Sequence, residues 1–105
     1  MPNIAIDYDQ EQLRDFCRRW KVTEFALFGS ATRPHEFRSD SDVDVLVRFQ
    51  PGAPWTLFDW VTMEEELAAI FSRDVDLAER EAVEQMRNYL RRAEILETAV
   101  VLAVA

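Results

Sequence analysis

The 105-residue sequence contains one cysteine and two glycines, and it has no long apolar run. A single cysteine, Cys17, excludes an internal disulfide and a zinc site built on several cysteines. We therefore expect a partly buried, inert thiol at this position. A helix needs about 20 apolar residues to cross a bilayer, and no stretch approaches that length. Because no basic segment followed by an apolar run opens the sequence, we expect no signal peptide and a cytoplasmic protein without membrane association.

Positive charge is also scarce. The sequence has 12 Lys and Arg against 20 Asp and Glu, which gives a net charge of −8. Such a field repels phosphate backbones. The densest basic stretch, "RNYLRR" at residues 87–92, is expected to be a solvated helix face. Direct nucleic-acid binding is therefore disfavoured, whereas a basic protein partner is compatible with the charge.

The apolar content of 49% and the aromatic content of 11% predict a folded globule, a single domain over residues 1–105. Periodicity and capping residues predict the following elements. They are a helix from an Asp9 cap to about Arg19, strands at 22–28, 43–49 and 74–78, a helix from a Thr56–Asp59 capping box to about Phe71, and a helix from Glu81 to about Ala99. This order predicts an α/β (α+β) fold, with a small mixed sheet of about three strands flanked by helices.

Apolar residues at helical spacing on the two later helices are expected to face the core. They are Leu57, Trp60, Val61, Leu67, Ile70 and Phe71 on the first, and Val83, Met86, Leu90, Ile95 and Leu96 on the second. The polar residues 30–41 leave room for one short helix. The apolar tail "AVVLAVA" at residues 99–105 has two open interpretations, closure of the core or a surface that meets a partner.

Three aspartates occupy strand positions where packing alone would favour apolar residues. Asp42 and Asp44 are two residues apart, so their side chains point to the same side of a strand, with Cβ atoms about 6–7 Å apart. They repel each other unless a cation lies between them. Asp76 stands between Val75 and Leu77 in the third predicted strand. Because carboxylates and substrate phosphates are the ligands that Mg²⁺ prefers, these acids predict a site for two Mg²⁺ ions.

A phosphate-binding turn is predicted in the stretch "FGSATR". Gly29 follows a strand and permits a sharp turn and close approach of a ligand to the backbone. Ser30 offers an N–H and a hydroxyl, and Arg33 offers a planar guanidinium. The spacing and the lysine of a P-loop are missing.

Taken in order, these motifs resemble a minimal nucleotidyltransferase of the DNA polymerase β-like superfamily. The family pattern is Gly-Ser, about ten residues, Asp-x-Asp, and a third acid on a later strand. Here Gly29–Ser30 is followed by eleven residues, then by Asp42-Val-Asp44, and later by Asp76. The resemblance covers nearly the whole sequence.

The resemblance implies a nucleotidyltransferase fold and the transfer of a nucleoside monophosphate from ATP to a hydroxyl. It implies that Gly29, Ser30 and Arg33 hold the triphosphate and that Asp42 and Asp44 bind Mg²⁺. Asp76 would bind one ion and help to deprotonate the acceptor hydroxyl. Small members of the family serve as antitoxins of HEPN-family ribonuclease toxins, which they adenylylate on tyrosine as well as bind. The implied function is therefore a protein adenylyltransferase acting as the antitoxin in such a pair.

The sequence departs from the family pattern in one loop. Members commonly read "GSxARG", whereas this sequence reads "GSATRP" with one extra loop residue. Pro34 fixes φ and removes an N–H donor, which alters the phosphate-binding turn. Two alternatives stay open beside the active antitoxin: an inactive antitoxin that neutralises its toxin by binding alone, and an adenylyltransferase for an unrelated substrate. Homo- or hetero-oligomers are compatible with all three.

Overall fold

The computed structural model describes residues 6–33, 35 and 41–104. The helices are α1 (Gln10–Arg19), α2 (Leu57–Phe71), α3 (Arg80–Glu84) and α4 (Tyr89–Thr98), and a short 3-10 turn spans Gly29–Thr32. The strands are β1 (Val22–Phe28), β2 (Val43–Phe49), β3 (Val75–Glu79) and β4 (Val100–Val104). They form one sheet in the order β3-β2-β1-β4. No helix within these ranges is long and apolar enough to cross a membrane.

The first two helices begin at the predicted capping residues. The Asp9 carboxylate accepts hydrogen bonds from the backbone N–H groups of Glu11 and Gln12, at 2.8 and 3.2 Å. Thr56 and Asp59 form a reciprocal capping box at the start of α2. These caps satisfy N–H groups that have no partner inside the helix. The predicted limits of α1, α2, β1 and β2 are confirmed.

The connections place the beginnings of β2 and β3 at the same edge of the sheet. β1 is antiparallel to β2 and to β4. β2 and β3 are parallel, and α2 makes the crossover between them. A parallel pair needs such a crossover, since a tight turn can join only antiparallel strands. The end of β1 therefore lies beside the beginnings of β2 and β3.

Each face of the sheet carries its own buried cluster. Phe16 of α1 and Met63 of α2 pack on one face against Val43, Val45 and other residues of β1 and β2. The opposite face carries a smaller cluster made of Ala26, Phe28, Leu46, Val83 and Ile95. The alternation along the strands separates the two clusters, since successive side chains point to opposite faces. Helices α3 and α4 cover the face with the smaller cluster.

The apolar tail contributes a strand, so the prediction of about three strands is corrected to four. β4 pairs antiparallel with β1, with Leu27 opposite Val100 and Ala26 opposite Val101. Leu102 and Ala103 pack against the larger core cluster. Core closure, the first of the two interpretations of this tail, is thus what the structure shows. β4 pairs with β1, which is far away in the sequence, so no pattern within the tail predicted that it forms a strand.

The predicted helix from Glu81 to about Ala99 is wrong as a single element. It is two helices, α3 and α4, separated by residues 85–88. The Asn88 side chain accepts a hydrogen bond from the Arg91 N–H at 3.1 Å and so starts a new helix. An Asn side chain competes with the backbone for helical hydrogen bonds, which favours a cap over a helix interior.

Three of the residues that were predicted to face the core are exposed instead. Leu57 is 79% exposed, Val61 47% and Leu90 69%. At about 100° per residue, Leu57 and Val61 point well away from the direction of Met63 on α2, and Leu90 points away from Ile95 on α4, so these side chains face solvent. The prediction assigned too wide an apolar face to each helix, since only a stripe around Met63 and around Ile95 is buried.

Candidate active site

Two of the predicted acids lie directly opposite each other on neighbouring strands. Asp44 of β2 is the register partner of Asp76 of β3. Adjacent strands are separated by about 4.8 Å, so like charges at such a pair of positions repel each other. Asp44 is half-buried, whereas Asp76 and Asp42 are exposed. The acidic cluster is therefore open to solvent at the edge of the sheet.

The face on which Asp44 lies follows from its neighbours in β2. Val43 and Val45 belong to the cluster under α1 and α2, whereas Leu46 belongs to the cluster under α3 and α4. By alternation, Asp44 shares the face of Leu46. Ala78, which packs on that same cluster, places Asp76 on this face as well. The acids thus share the sheet face that α3 and α4 cover.

The backbone at Gly29 approaches the Asp44 carboxylate so closely that a side chain does not fit. Gly29 has φ +69°, and a Cβ built there would collide with Oδ2 of Asp44. Glycine adopts this left-handed conformation without the steric penalty that a Cβ brings. The register explains the proximity, because Phe28 pairs with Asp44. The sequence predicted that a ligand would approach the backbone at Gly29; in the structure the Asp44 carboxylate, which is expected to bind a metal, takes that place.

After Gly29, the chain turns immediately into the 3-10 helix. The Thr32 hydroxyl donates a hydrogen bond to the Gly29 carbonyl at 2.7 Å, and the Arg33 N–H donates one to the Ser30 carbonyl at 3.0 Å. The short helix anticipated in residues 30–41 is present in this form. The turn places Ser30 and Arg33, both half-buried, beside the acids.

The electrostatic surroundings of Asp44 identify which charges gather there. Burial raises the pKa of Asp44 above its ordinary value, and the negative charge of Asp76 raises it further. Arg91 lowers this pKa, Asp42 raises it and Arg33 lowers it. Since such effects weaken with distance, all four groups lie near the Asp44 carboxylate.

The donor set suits a hard divalent cation. Asp42, Asp44 and Asp76 offer only oxygen ligands, and their mutual repulsion is the kind that a bound cation relieves. Within residues 6–33, 35 and 41–104, no three or more His, Cys, Asp or Glu side chains are already arranged as a metal site. The fit therefore rests on the chemistry of the donors and on the Asp44–Asp76 register, and binding would require the side chains to turn toward the ion.

The structure brings together Gly29, Ser30, Arg33, Asp42, Asp44 and Asp76, which are all the residues predicted for the site. It adds Arg91, which sequence reasoning assigned to a solvated helix face. The side chain of Arg91 is 50% exposed, as that prediction implied. The prediction did not anticipate that the charge of Arg91 acts on Asp44. The density of arginines in 87–92 was the one available signal. Pro34, the departure from the family loop, lies outside the described residues.

The lone cysteine and the lone histidine stand apart from this chemistry. Burial raises the pKa of the Cys17 thiol to about 11, so it is protonated at neutral pH and a poor nucleophile. His35 is exposed. A cavity of about 550 Å³ lies elsewhere, between α1 and β4, lined by residues that include Arg14, Cys17 and Leu102.

Comparison with known proteins assigns the family. The nucleotidyltransferase domain family matches residues 10–102 of this chain. A solved structure described as a minimal nucleotidyltransferase is 30% identical, with a TM-score of 0.66, over 88% of this chain and 87% of that one. The chain therefore belongs to the nucleotidyltransferase domain family, and its fold and size are those of a minimal nucleotidyltransferase. No curated protein sequence gives a significant match.

Two more distant solved structures share the fold. A toxin–antitoxin complex with AMP-PNP matches at 19% identity and a TM-score of 0.66, over 92% of this chain and 74% of that one. A mutant of the toxin–antitoxin MntA-HpeT matches at 17% identity and a TM-score of 0.65, with the same coverage. At these identities the likeness is one of fold.

Proposed function

We propose that this protein is a Mg²⁺-dependent adenylyltransferase that transfers AMP from ATP to a hydroxyl of a HEPN-family toxin, and that it is the cytoplasmic antitoxin of that toxin. The observation that carries the proposal is the placement of Asp44. It faces Asp76 in register, touches the Gly29 backbone and has Arg33 nearby. The carboxylates that could bind a cation, Asp44 and Asp76, therefore lie beside Gly29 and Arg33, which could bind a phosphate.

In the proposed reaction, the acceptor hydroxyl oxygen attacks the α-phosphorus of ATP. A new P–O bond forms, the bond to the β-phosphate breaks, and pyrophosphate leaves. Asp76 is exposed at the cluster edge, where it can accept the hydroxyl proton from an incoming substrate. Ser30 and Arg33 hold the phosphates by hydrogen bonds and charge. Catalysis of this kind consists mainly of positioning and electrostatic stabilisation.

Asp42 and Asp44 would hold the ions, with Asp76 completing the set for one of them. Bound Mg²⁺ neutralises phosphate charge and orients the reacting oxygens. Burial and the negative charge of Asp76 both raise the pKa of Asp44, and a bound cation would offset these effects by favouring the ionised carboxylate.

The partner is proposed from the fold of the neighbours and from charge. Two solved structures with this fold are toxin–antitoxin complexes, one of them with the ATP analogue AMP-PNP. The net charge of −8 complements a basic protein, and complementarity of this kind speeds encounter. The described residues provide no second domain to recognise a small-molecule acceptor, so the proposal assigns the acceptor hydroxyl to the partner.

The experiment combines the purified protein with α-³²P-labelled ATP, Mg²⁺ and a purified HEPN-family toxin. Wild type should label the toxin and abolish its ribonuclease activity. EDTA, or the double substitution Asp42→Asn and Asp44→Asn, should remove the label. Conservative Asn replacements keep the size of the side chain, so lost labelling reports lost charge.

Three results would contradict the proposal in different ways. Inhibition of the toxin without any label supports an antitoxin that acts by binding alone. Label that appears on another molecule but not on the toxin supports an unrelated acceptor. Labelling by the double variant at the wild-type rate would show that these two acids are not part of the machinery.

A further inference from the structure

The two edges of the sheet, β3 and β4, differ in how well they are protected against pairing with another strand. β3 carries Asp76 and Glu79, and the Leu77 N–H donates a hydrogen bond to the Glu64 carboxylate at 3.2 Å. β4 has the sequence VVLAV, which contains neither charge nor proline. Among the described residues, no strand lies beyond β4 and no side chain hydrogen-bonds to its backbone. Such an edge is a template for pairing with another chain.

A groove runs along β4 on the side of helix α1. It consists of two adjoining cavities of about 550 and 240 Å³, which share Arg14, Leu102 and Ala103 in their walls. The larger cavity is also lined by Arg18 and Val22. We call the two cavities together the α1–β4 groove. Leu102 and Ala103 pack against the larger core cluster, so the groove has an apolar floor beside two arginines.

The charges at the groove indicate which side chains would bind there. Arg14 is exposed and has no ion-pair partner among the described residues. Arg18 has only an exposed pair with Asp15 at 3.7 Å, and contacts of this kind are weak. The two arginines are four residues apart, so they share one face of α1. Guanidinium groups form strong charge-assisted hydrogen bonds with carboxylates, so the groove favours an acidic segment, although the whole chain has a net charge of −8.

A second copy of this chain fits the groove poorly. The β4 sequence VVLAV offers no carboxylate to Arg14 or Arg18. If two β4 strands paired antiparallel about a twofold axis, both α1 helices would lie on the same face of the joined sheet. Their arginines would then approach each other across the axis and repel.

The larger cavity of the groove lies far from the acids of the candidate active site. Val22, which lines this cavity, is the first residue of β1, whereas Phe28, the last residue, pairs with Asp44. Six residues of strand separate them by about 20 Å. The groove also lies on the sheet face that α1 covers, opposite to the face of the acids. A segment bound in the groove therefore leaves the acids accessible.

We propose that the α1–β4 groove docks an extended segment of the toxin, which adds a fifth strand beside β4 and directs carboxylates toward Arg14 and Arg18. The inference rests on the proposed function, since it names the surface that holds the same partner. In strand addition, backbone hydrogen bonds supply affinity and alternate side chains supply selectivity. The docked segment therefore carries Asp or Glu at alternate positions.

The test measures the affinity of the full chain for a purified HEPN-family toxin by calorimetry, and amide hydrogen exchange in β4 with and without the toxin. Toxin binding should slow exchange of the β4 amides at least tenfold. Arg14→Glu should weaken binding at least tenfold, and Arg14→Lys should lose less, since it keeps the charge. The matched control is Arg87→Glu, which reverses the charge of an exposed arginine outside the groove and should bind like wild type.

The outcomes separate this inference from the proposed function. Wild-type affinity in Arg14→Glu, or no protection of β4 in the complex, overturns the inference, and AMP labelling of the toxin then leaves the proposed function standing. Protection of β4 in the protein alone, together with a dimer in sedimentation velocity, identifies a second copy as the occupant and also overturns the inference. Docking at β4 without any AMP label supports the inference and contradicts the proposed catalysis. A toxin that neither binds nor is labelled contradicts both.

Discussion

The contact between Gly29 and Asp44 joins the phosphate-binding turn to the acidic strand through a single side chain. Gly29→Ala is expected to destabilise the protein, because the left-handed conformation costs about 1–2 kcal/mol for a residue with a Cβ and the new Cβ would displace the Asp44 carboxylate. Gly52→Ala is a matched control, since Gly52 has φ +79° and a Cβ at that position would meet nothing within 4 Å. Urea unfolding should show the larger loss for Gly29→Ala. Equal losses would mean that the carboxylate moves aside freely.

The ionisation of Asp44 predicts how stability changes with pH. Its pKa is raised in the folded protein, so its contribution to stability is greatest below the unfolded value, about 3.9, and is lost as pH rises through the folded pKa. Asn cannot ionise. In EDTA at pH 7, Asp44→Asn should therefore melt at a higher temperature than wild type, and the excess should shrink as the pH is lowered toward 4.

The control for this measurement is Asp7→Asn, which replaces an exposed acid in the segment before α1. It should leave the melting temperature nearly unchanged at both pH values. A lower melting temperature for Asp44→Asn than for wild type at pH 7 would show that the ionised carboxylate stabilises the metal-free protein. Burial and the charges of Asp76 and Asp42 predict the opposite.

At the scale of one element, α2 is buried on one side and exposed at its beginning. Met63 is fully buried, whereas Phe58 is 86% exposed. Met63→Ala should cost about 2–5 kcal/mol of unfolding free energy, since it removes core contacts and leaves a cavity. Phe58→Ala should stay within about 0.5 kcal/mol of wild type. Chemical denaturation measures both, and a large loss for Phe58→Ala would reveal packing of that ring in solution.

Local signals in the sequence predicted α2 far better than α4. Thr56 and Asp59 cap one helix, and Asp9 caps another, because capping depends on neighbours within three residues. The break before α4 is also marked by a local cap, Asn88, but the apolar residues Val83, Met86 and Leu90 continue at roughly helical spacing across it, so the periodicity predicted one long helix.

At the scale of the whole molecule, the sheet separates the larger, aromatic cluster under α1 and α2 from the smaller cluster under α3 and α4. The acids of the candidate site lie on the side of the smaller cluster. The molecule also carries a net charge of −8. If the partner is basic, its association rate should fall as ionic strength rises, by about 10-fold or more between low and high salt. Stopped-flow mixing with the toxin measures this.

A triple variant tests whether the net negative charge raises the association rate with the partner. Asp7→Asn, Glu11→Gln and Glu65→Gln remove three exposed acids that lie away from the acidic cluster. The variant should associate more slowly at low salt and dissociate at the wild-type rate. A rate that is independent of salt would assign recognition to apolar contacts instead.

The sequence by itself determined the caps of α1 and α2 and the limits of β1 and β2, because these depend on hydrogen bonds and alternation among near neighbours. Only the tertiary structure decided that Asp76 stands opposite Asp44, that β4 pairs with β1 and that Arg91 lies near the acids. Strand register and helix placement depend on which apolar faces pack together across the whole chain, and no local pattern contains that information.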